Sequence, residues 1–296
     1  MRDVLVTGGS GQVGGALVAA APMDGFRFVA PGRDALDLLE PSSFAAILAS
    51  RPWAAIINAA AYTAVDKAET EVEDAWRINA LAPACLAREA ALAGIPLVHV
   101  STDYVFSGAS QQPYAEDDPV APLGVYGASK EAGEQGVRTG AGRSVIVRTS
   151  WVVSPRRANF LKTMLRLGAE RDVLRVVADQ QGAPTSAADL AETLAHIARA
   201  LACDPDAPTG TFHFSNAGQT TWADFATEIF RLSAARGGPD ARIEPIATAD
   251  YPTPARRPAY SLLSPDRIRT LYGVTPRPWQ DAISDIIDEL IPSRAT

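Results

Sequence analysis

The chain has 296 residues, a net charge of −7, 47% hydrophobic residues and a mean hydropathy of 0.00. That length can bury a sizeable core in one large domain or two modest ones. The acidic balance, with an isoelectric point near 5.1, gives no support to a nucleic-acid or membrane-surface role, although a local arginine site can still hold an anionic substrate.

Met1-Arg2-Asp3 runs directly into Val4-Leu5-Val6 without a signal region, and no uninterrupted apolar run is long enough to span a bilayer. Cys85 and Cys203 stand alone in alanine-rich helical patterns, so buried free thiols in a reducing cytoplasm are expected. His99, His196 and His213 have no Cys or His at ligand spacing, and no metal site is expected.

Val4-Leu5-Val6-Thr7 reads as a compact strand, Gly8-Gly9-Ser10-Gly11-Gln12-Val13-Gly14 follows at once, and Val13, Leu17 and Val18 then share a helical stripe up to about Ala21. Glycine at 8, 11 and 14 permits a tight turn, lets the backbone approach a pyrophosphate, and packs helix closely on strand. The spacing G-x-x-G-x-x-G differs from the common Rossmann fingerprint, and no Gly-Lys-Ser/Thr follows to make a Walker loop. A second strand, Arg27 to Ala30, ends at Pro31-Gly32-Arg33-Asp34, where a cofactor's adenosine ribose belongs. Arg33 suits a 2′-phosphate and tilts the cofactor towards NADPH, while Asp34 and Asp37 leave NADH open.

A short helix from Pro41-Ser42-Ser43 to Ser50 precedes a third strand at Ala54 to Ile57, with Asn58-Ala59-Ala60-Ala61-Tyr62-Thr63 at its carboxyl end. A helix from about Val72 to Ala93 carries Asn79, which either caps a neighbouring group or belongs to a polar relay. Leu97 to Val100 forms a strand buried on both faces, so Thr102 and Asp103 fall at the rim where open α/β sheets bind ligands. Tyr126 and Lys130 open the next helix, four apart and on one face. An ammonium beside a phenol lowers the phenol's pKa of ~10. Tyr126 can thus give a proton to a carbonyl oxygen as hydride reaches the carbon, with Thr102 holding that oxygen. The connection from Thr102 to Tyr126, rich in Pro, Gly and acidic residues, reads as a loop over the substrate edge.

Ser144 to Thr149 is a fifth strand, with Trp151 just beyond it as either core or site. Helices are expected at 159–168, 187–201, 222–235 and 279–290, and strands at 173–177 and 211–214. The expected fold is therefore α/β, a Rossmann-type doubly wound parallel sheet with a smaller mixed α/β substrate lobe. Residues 1–150 would form the NAD(P)-binding core, and 151–296 mainly the substrate lobe, with some segments returning to the core.

These residues together resemble the extended short-chain dehydrogenase/reductases, and within them the reductases of dTDP-linked 4-keto-6-deoxysugars, over nearly the whole length. The resemblance rests on residues 7–14, NAAAYTAVDKAE from Asn58, STDYVFSG from Ser101, YGASK from Tyr126, RTSWV from Arg148, DQQGAPT from Asp179, and YPTPARRP from Tyr251. It implies reduction of the C4 ketone of dTDP-4-dehydro-6-deoxy-L-mannose to dTDP-L-rhamnose with NADPH, or NADH, for cell-surface polysaccharide synthesis. It makes Tyr126 the proton donor, gives Lys130 the nicotinamide ribose, and gives Thr102 the sugar carbonyl. Gly8, Gly11, Gln12, Val13 and Gly14 would line the cofactor phosphates, Arg33, Asp37 and Leu38 its adenosine end, and Ala59, Ala60, Ala61 and Thr63 its middle. Asp103 and Trp151 would border the deoxysugar, and Arg256 or Arg257 would meet the diphosphate. Some members dimerise through a magnesium ion held partly at the position of Ala16, which cannot be a ligand; a monomer or weak homodimer is expected instead. A reductase of a related nucleotide 4-ketosugar would use the same catalytic set, whereas a non-catalytic NADP-binding regulatory subunit would leave it idle.

Overall fold

Five runs of apolar and β-branched residues form the centre of the molecule: β1 (Arg2–Thr7), β2 (Phe26–Val29), β3 (Trp53–Asn58), β4 (Leu97–Thr102) and β5 (Ser144–Thr149). In the computed structural model, which describes residues 1–21 and 25–292, they pair in parallel in the order β2-β1-β3-β4-β5. The last four residues of the expected second segment lie outside the described residues. A sixth strand, Gly210–His213, adds to β5 in parallel and sets Phe212 opposite Val147. This strand completes a six-stranded sheet. The order reverses between β1 and β3, so their carboxyl ends form the crevice in which doubly wound sheets bind ligands.

Alternation along the strands feeds two cores. Val4, Val6, Ala55, Ile57, Val98, Val145 and Val147 face one side, packed by α1 (Gln12–Ala19) and later by Ala187 to Leu201. Leu5, Ile56, Leu97 and Ile146 face the other, where Phe44 and Leu48 of α2 (Ser43–Ala49) also pack. Two short helices follow, α3 (Val65–Ala68) and α4 (Val72–Trp76), before α5 (Ala82–Leu92) and α6 (Val125–Gly140) cover that second face.

The single helix expected over 72–93 is in fact broken by one π turn at Arg77–Leu81. Pro83 has no N–H to offer the Asn79 carbonyl, and α6 uses the gap. A Cβ on Gly133 would stand 2.0 Å from that carbonyl oxygen, and one on Gly136 would stand 2.5 Å from the Ala84 methyl. Only glycine lets α6 approach this closely.

Beyond β5 come α7 (Phe160–Gly168), α8 (Ala187–Cys203), α9 (Trp222–Ala234), α10 (Asp266–Tyr272) and α11 (Trp279–Leu290). α8 returns to the first core, while α7, α9 and α11 enclose a third one around Leu161, Phe225, Phe230 and Ile283. That third core carries the parallel pair Val173–Val177 and Arg242–Ile246. Neither the latter strand nor α10 is visible in the sequence pattern; Pro245 argues against a strand, and it is tolerated because the ladder has only two strands. Cys203 is exposed and Cys85 half-buried, so the expectation of two buried thiols fails. Cys203 is the last residue of α8, where the helix runs out of core to cover it.

Candidate active site

The crevice at the ends of β1 and β3 opens into a cleft of about 1020 Å³ that runs from Ala30–Asp37 at one end to Tyr126, Lys130 and Trp151 at the other. Its floor is set at the switch point, where the Thr7 hydroxyl donates to Asn58 Oδ1 at 2.6 Å and accepts from the Ala60 N–H at 3.2 Å. Gly8 has φ +71°, and a Cβ there would sit 2.8 Å from the Ala60 backbone. Glycine is required on both counts. α1 has no side chain capping its start and no acidic residue in its first turn, so its free N–H groups and positive dipole end face the cleft.

Of the residues expected at the cofactor, Gly8, Gly11, Gln12, Val13, Arg33, Asp37, Leu38, Ala59, Ala60, Ala61 and Thr63 all line this cleft. Gly14 lies behind it. Its hypothetical Cβ would be 2.2 Å from the Gly8 carbonyl oxygen, so it holds the turn from beneath. Gly14→Ala is therefore expected to cost roughly 1–3 kcal/mol of stability and to weaken dinucleotide binding, as read by thermal unfolding and NADPH titration. Gly15→Ala is the control; its added methyl meets the Gly9 oxygen at an ordinary 3.4 Å and should be nearly neutral. Gln12 lines the cleft while its side chain turns to the second lobe. It donates to the Val152 carbonyl at 3.1 Å and accepts from Ser154 and Asn159, each at 2.9 Å. Arg33 bonds Asp37 at 3.1 Å, which leaves the guanidinium mostly exposed at the adenosine end.

At the other end β4 runs two residues past its expected limit at Val100, so Thr102 is the last strand residue. Its hydroxyl donates to Asp103 Oδ1 at 3.0 Å and accepts from the Tyr104 N–H at 3.2 Å. Tyr126 and Lys130 lie in the first turns of α6, whose start is fixed from a distance. Glu69 Oε1 accepts the Val125 N–H at 2.9 Å and places an anion at the helix amino terminus. Tyr104 packs edge-on against Tyr126 with ring centroids 5.4 Å apart. Asn79, buried in the π turn, bonds the Tyr62 backbone on both sides and donates to Ser129 at 3.1 Å. It thus ties the cofactor-side loop to α6, the relay alternative of the two left open.

Electrostatics here differ from the expectation that Lys130 depresses the Tyr126 pKa. Burial is the larger effect and pushes the phenol up to about 12, opposed by the Thr102 hydroxyl facing it. Burial also lowers Lys130 to about 8, against the pull of Glu134, while its ammonium donates to the Val100 carbonyl at 2.7 Å. Asp103 is raised to about 6 by burial, and its Oδ2 has no partner.

Trp151 is both core and site. It lines the cleft in a left-handed conformation (φ +45°), with its indole stacked 3.6 Å from that of Trp222. Gly182 makes room, since a Cβ there would lie 2.7 Å from the Trp151 ring. Neither Arg256 nor Arg257 is among the residues that line the cleft. Arg257 forms a two-pronged pair with Asp66, at 3.1 and 2.8 Å, because its planar fork matches a carboxylate; Arg256 is exposed. Of the connection 103–124, only Asp103 and Tyr104 line the cleft. The rest is anchored by its own small core of Val105, Phe106 and Tyr114 with Leu263, so it is not a free loop over the substrate edge. Trp222, Asn159, Phe160 and Arg157 also line the cleft and were not anticipated. Adjacent arginines after Pro155 and a tryptophan at a helix start were the only sequence signals for them.

Residues 1–291 match the model of the RmlD substrate binding domain family. A dTDP-4-dehydrorhamnose reductase of Sinorhizobium fredii is 41% identical over 287 residues, covering 97% of each chain. A probable dTDP-4,6-dihydroxy-2-methyloxan-3-one 4-ketoreductase of Streptomyces antibioticus is 40% identical and covers 97% of this chain and 95% of its own. The crystal structure of dTDP-4-dehydrorhamnose reductase from Bacillus anthracis in complex with NADP superposes with a TM-score of 0.90 at 35% identity, covering 98% of this chain and all of that one.

Proposed function

This chain belongs to the RmlD substrate binding domain family, and from that premise we propose that it reduces the C4 ketone of dTDP-4-dehydro-6-deoxy-L-mannose to dTDP-L-rhamnose with NADPH, NADH being the alternative donor. The observation that carries the proposal is the convergence of Thr102, Tyr126 and Lys130 at one end of a cleft whose other end is a glycine cradle open to a pyrophosphate. The cradle fits a dinucleotide, because the two places where a Cβ would block it, residues 8 and 14, are glycines.

When bound, the dinucleotide supplies the hydride that reaches C4. Gly8 and Val13 would hold its phosphates through backbone N–H groups, beside Gly11, whose own N–H closes the turn on the Gly8 carbonyl at 2.8 Å; Arg33 would hold its adenosine end and Ala59 to Ala61 its middle. Thr102, set by the Tyr104 N–H, turns its hydroxyl proton from Asp103 to the ketone oxygen. Tyr126, kept protonated by burial, gives that oxygen its proton, and the product is a neutral alcohol without any metal step. Asp103 Oδ2, buried and unpartnered, accepts a sugar hydroxyl, and Trp151 closes the far wall. Arg256 or Arg257 serves the nucleotide diphosphate; for Arg257 this requires sharing its guanidinium with Asp66.

Lys130 carries its charge below about pH 8 and loses it above. Since Tyr126 stays protonated throughout this range, kcat/KM is expected to fall about tenfold per pH unit above roughly pH 8. A profile flat to pH 10 would remove the Lys130 charge from the mechanism.

A second reading is favoured by the Streptomyces antibioticus relative, whose 40% identity equals that of the rhamnose-forming enzymes within a point. Reduction of a related nucleotide 4-ketosugar would use the same proton-transfer set. The test is an NADPH-consumption assay over a panel of dTDP- and GDP-linked 4-ketosugars with products identified by NMR. Turnover only of a ketosugar other than the rhamnose precursor would select the second reading, and none at all would point to a regulatory subunit. We place the enzyme in the cytoplasm as a monomer or weak homodimer. No described helix is long and apolar enough to cross a membrane, and position 16 is alanine. A chelator-sensitive dimer in sedimentation would contradict that assembly.

A further inference from the structure

The turn that follows Trp151 reaches back to the glycine loop. Arg157 has φ +62°, and together with Trp151 it is one of two described non-glycine residues in the left-handed region. Such strain persists where surrounding contacts over-determine it, which makes it a pointer to function. Here the contacts are visible: Ser154 and Asn159 grip Gln12 on either side of it, and its own Nε donates to the Ser10 carbonyl. The guanidinium therefore stands at the mouth of the glycine cradle.

The cleft's charges give this position its meaning. Among the described residues, the basic ones that line it are Arg33, Lys130 and Arg157. Arg33 stands at the adenosine end beside Asp37, and Lys130 at the catalytic end on the Val100 carbonyl. Between them lies the cradle, where α1 offers backbone N–H groups but no side-chain cation. A pyrophosphate held there keeps two negative charges. Arg157 bonds Ser10 through Nε alone, so both terminal nitrogens remain to form a fork on phosphate oxygens.

We propose that Arg157 is a pyrophosphate clamp lent to the dinucleotide site by the second lobe. Resting on the cofactor reading above, this explains why a turn of the second lobe is bolted to the glycine loop through Gln12. Cofactor binding then draws on both lobes, and the second lobe is aligned for its sugar before chemistry begins.

The test compares full-length wild type with Arg157→Ala, Arg157→Gly and Arg157→Lys. NADPH affinity is read by fluorescence titration, and ADP-ribose affinity, which shares the pyrophosphate but not the nicotinamide, by calorimetry. Loss of a charge-assisted fork predicts Kd values raised by about ten- to hundredfold for both ligands in the Ala and Gly variants, by a similar factor, with Lys in between. The proposal fails if Arg157→Ala stays within about twofold of wild type. It also fails if Arg157→Gly, which takes the left-handed backbone without strain, restores what Ala loses, since the turn's shape would then be the cause. A loss confined to NADPH would place the contact elsewhere on the cofactor. Wild type that binds neither ligand would overturn the cofactor reading itself, and the clamp with it.

Discussion

Tyr126→Phe is expected to lower kcat by roughly 10³-fold, within the range found when a positioned general acid is removed, while NADPH affinity and thermal midpoint stay near wild type. The reasons are local. Tyr126 sits in the first turn of α6, its ring held edge-on by Tyr104, so phenylalanine keeps the packing and deletes only the transferable proton. The helix start is fixed by Glu69 on the Val125 N–H, which the substitution leaves alone. Stopped-flow single turnovers at saturating NADPH would separate a chemical defect from a binding one. Near wild-type turnover in the Phe variant would sink the proton-transfer assignment, and a collapse of cofactor affinity would mean that the phenol organises the site without donating.

The largest stability effect should come from a pair behind the catalytic helix. Glu134 is fully buried, and Arg148 of β5, 1% exposed, meets it with Nε to Oε1 at 2.9 Å and Nη2 to Oε2 at 2.8 Å. Removing one partner strands a charge in the interior, so Glu134→Gln is expected to cost of order 3–5 kcal/mol, read as a lower urea midpoint. Replacing both together, as Glu134→Leu with Arg148→Met, should recover much of that loss, because a buried pair is expensive to break and cheap to exchange for apolar packing. A single variant as stable as wild type would show that water reaches the pair. The same carboxylate lies one turn past Lys130 and favours its ammonium, so the alkaline limb of the pH profile should move lower in the Gln variant.

Arg148 also ties the site to its surroundings. It lies over the Phe106 ring, 4.9 Å from the centroid, and donates to the Glu116 carbonyl at 3.3 Å. Its neighbour His213 is pushed down to about 3 by burial and by that guanidinium, and so stays neutral. The connection between Thr102 and Tyr126 is therefore held by a buried polar network as well as by its own apolar cluster. In the sequence it looked like a loop because proline, glycine and acidic residues are also what loops contain.

The glycine run at 8–14, the strand ends carrying Thr102 and Asp103, and the i to i+4 spacing of Tyr126 and Lys130 were legible because each depends on local geometry. A turn, a rim position and a helix face are all determined within a few residues. What the chain alone left open involves partners distant in sequence. Arg257 is claimed by Asp66, 191 residues away, Gln12 by Asn159, and the Trp151 ring by Trp222 in a space that Gly182 leaves empty. A guanidinium beside a carboxylate and one free for a phosphate read identically in sequence. The pKa values belong with these, since burial outweighs neighbouring charge at Tyr126 and Lys130, and burial exists only in the folded chain.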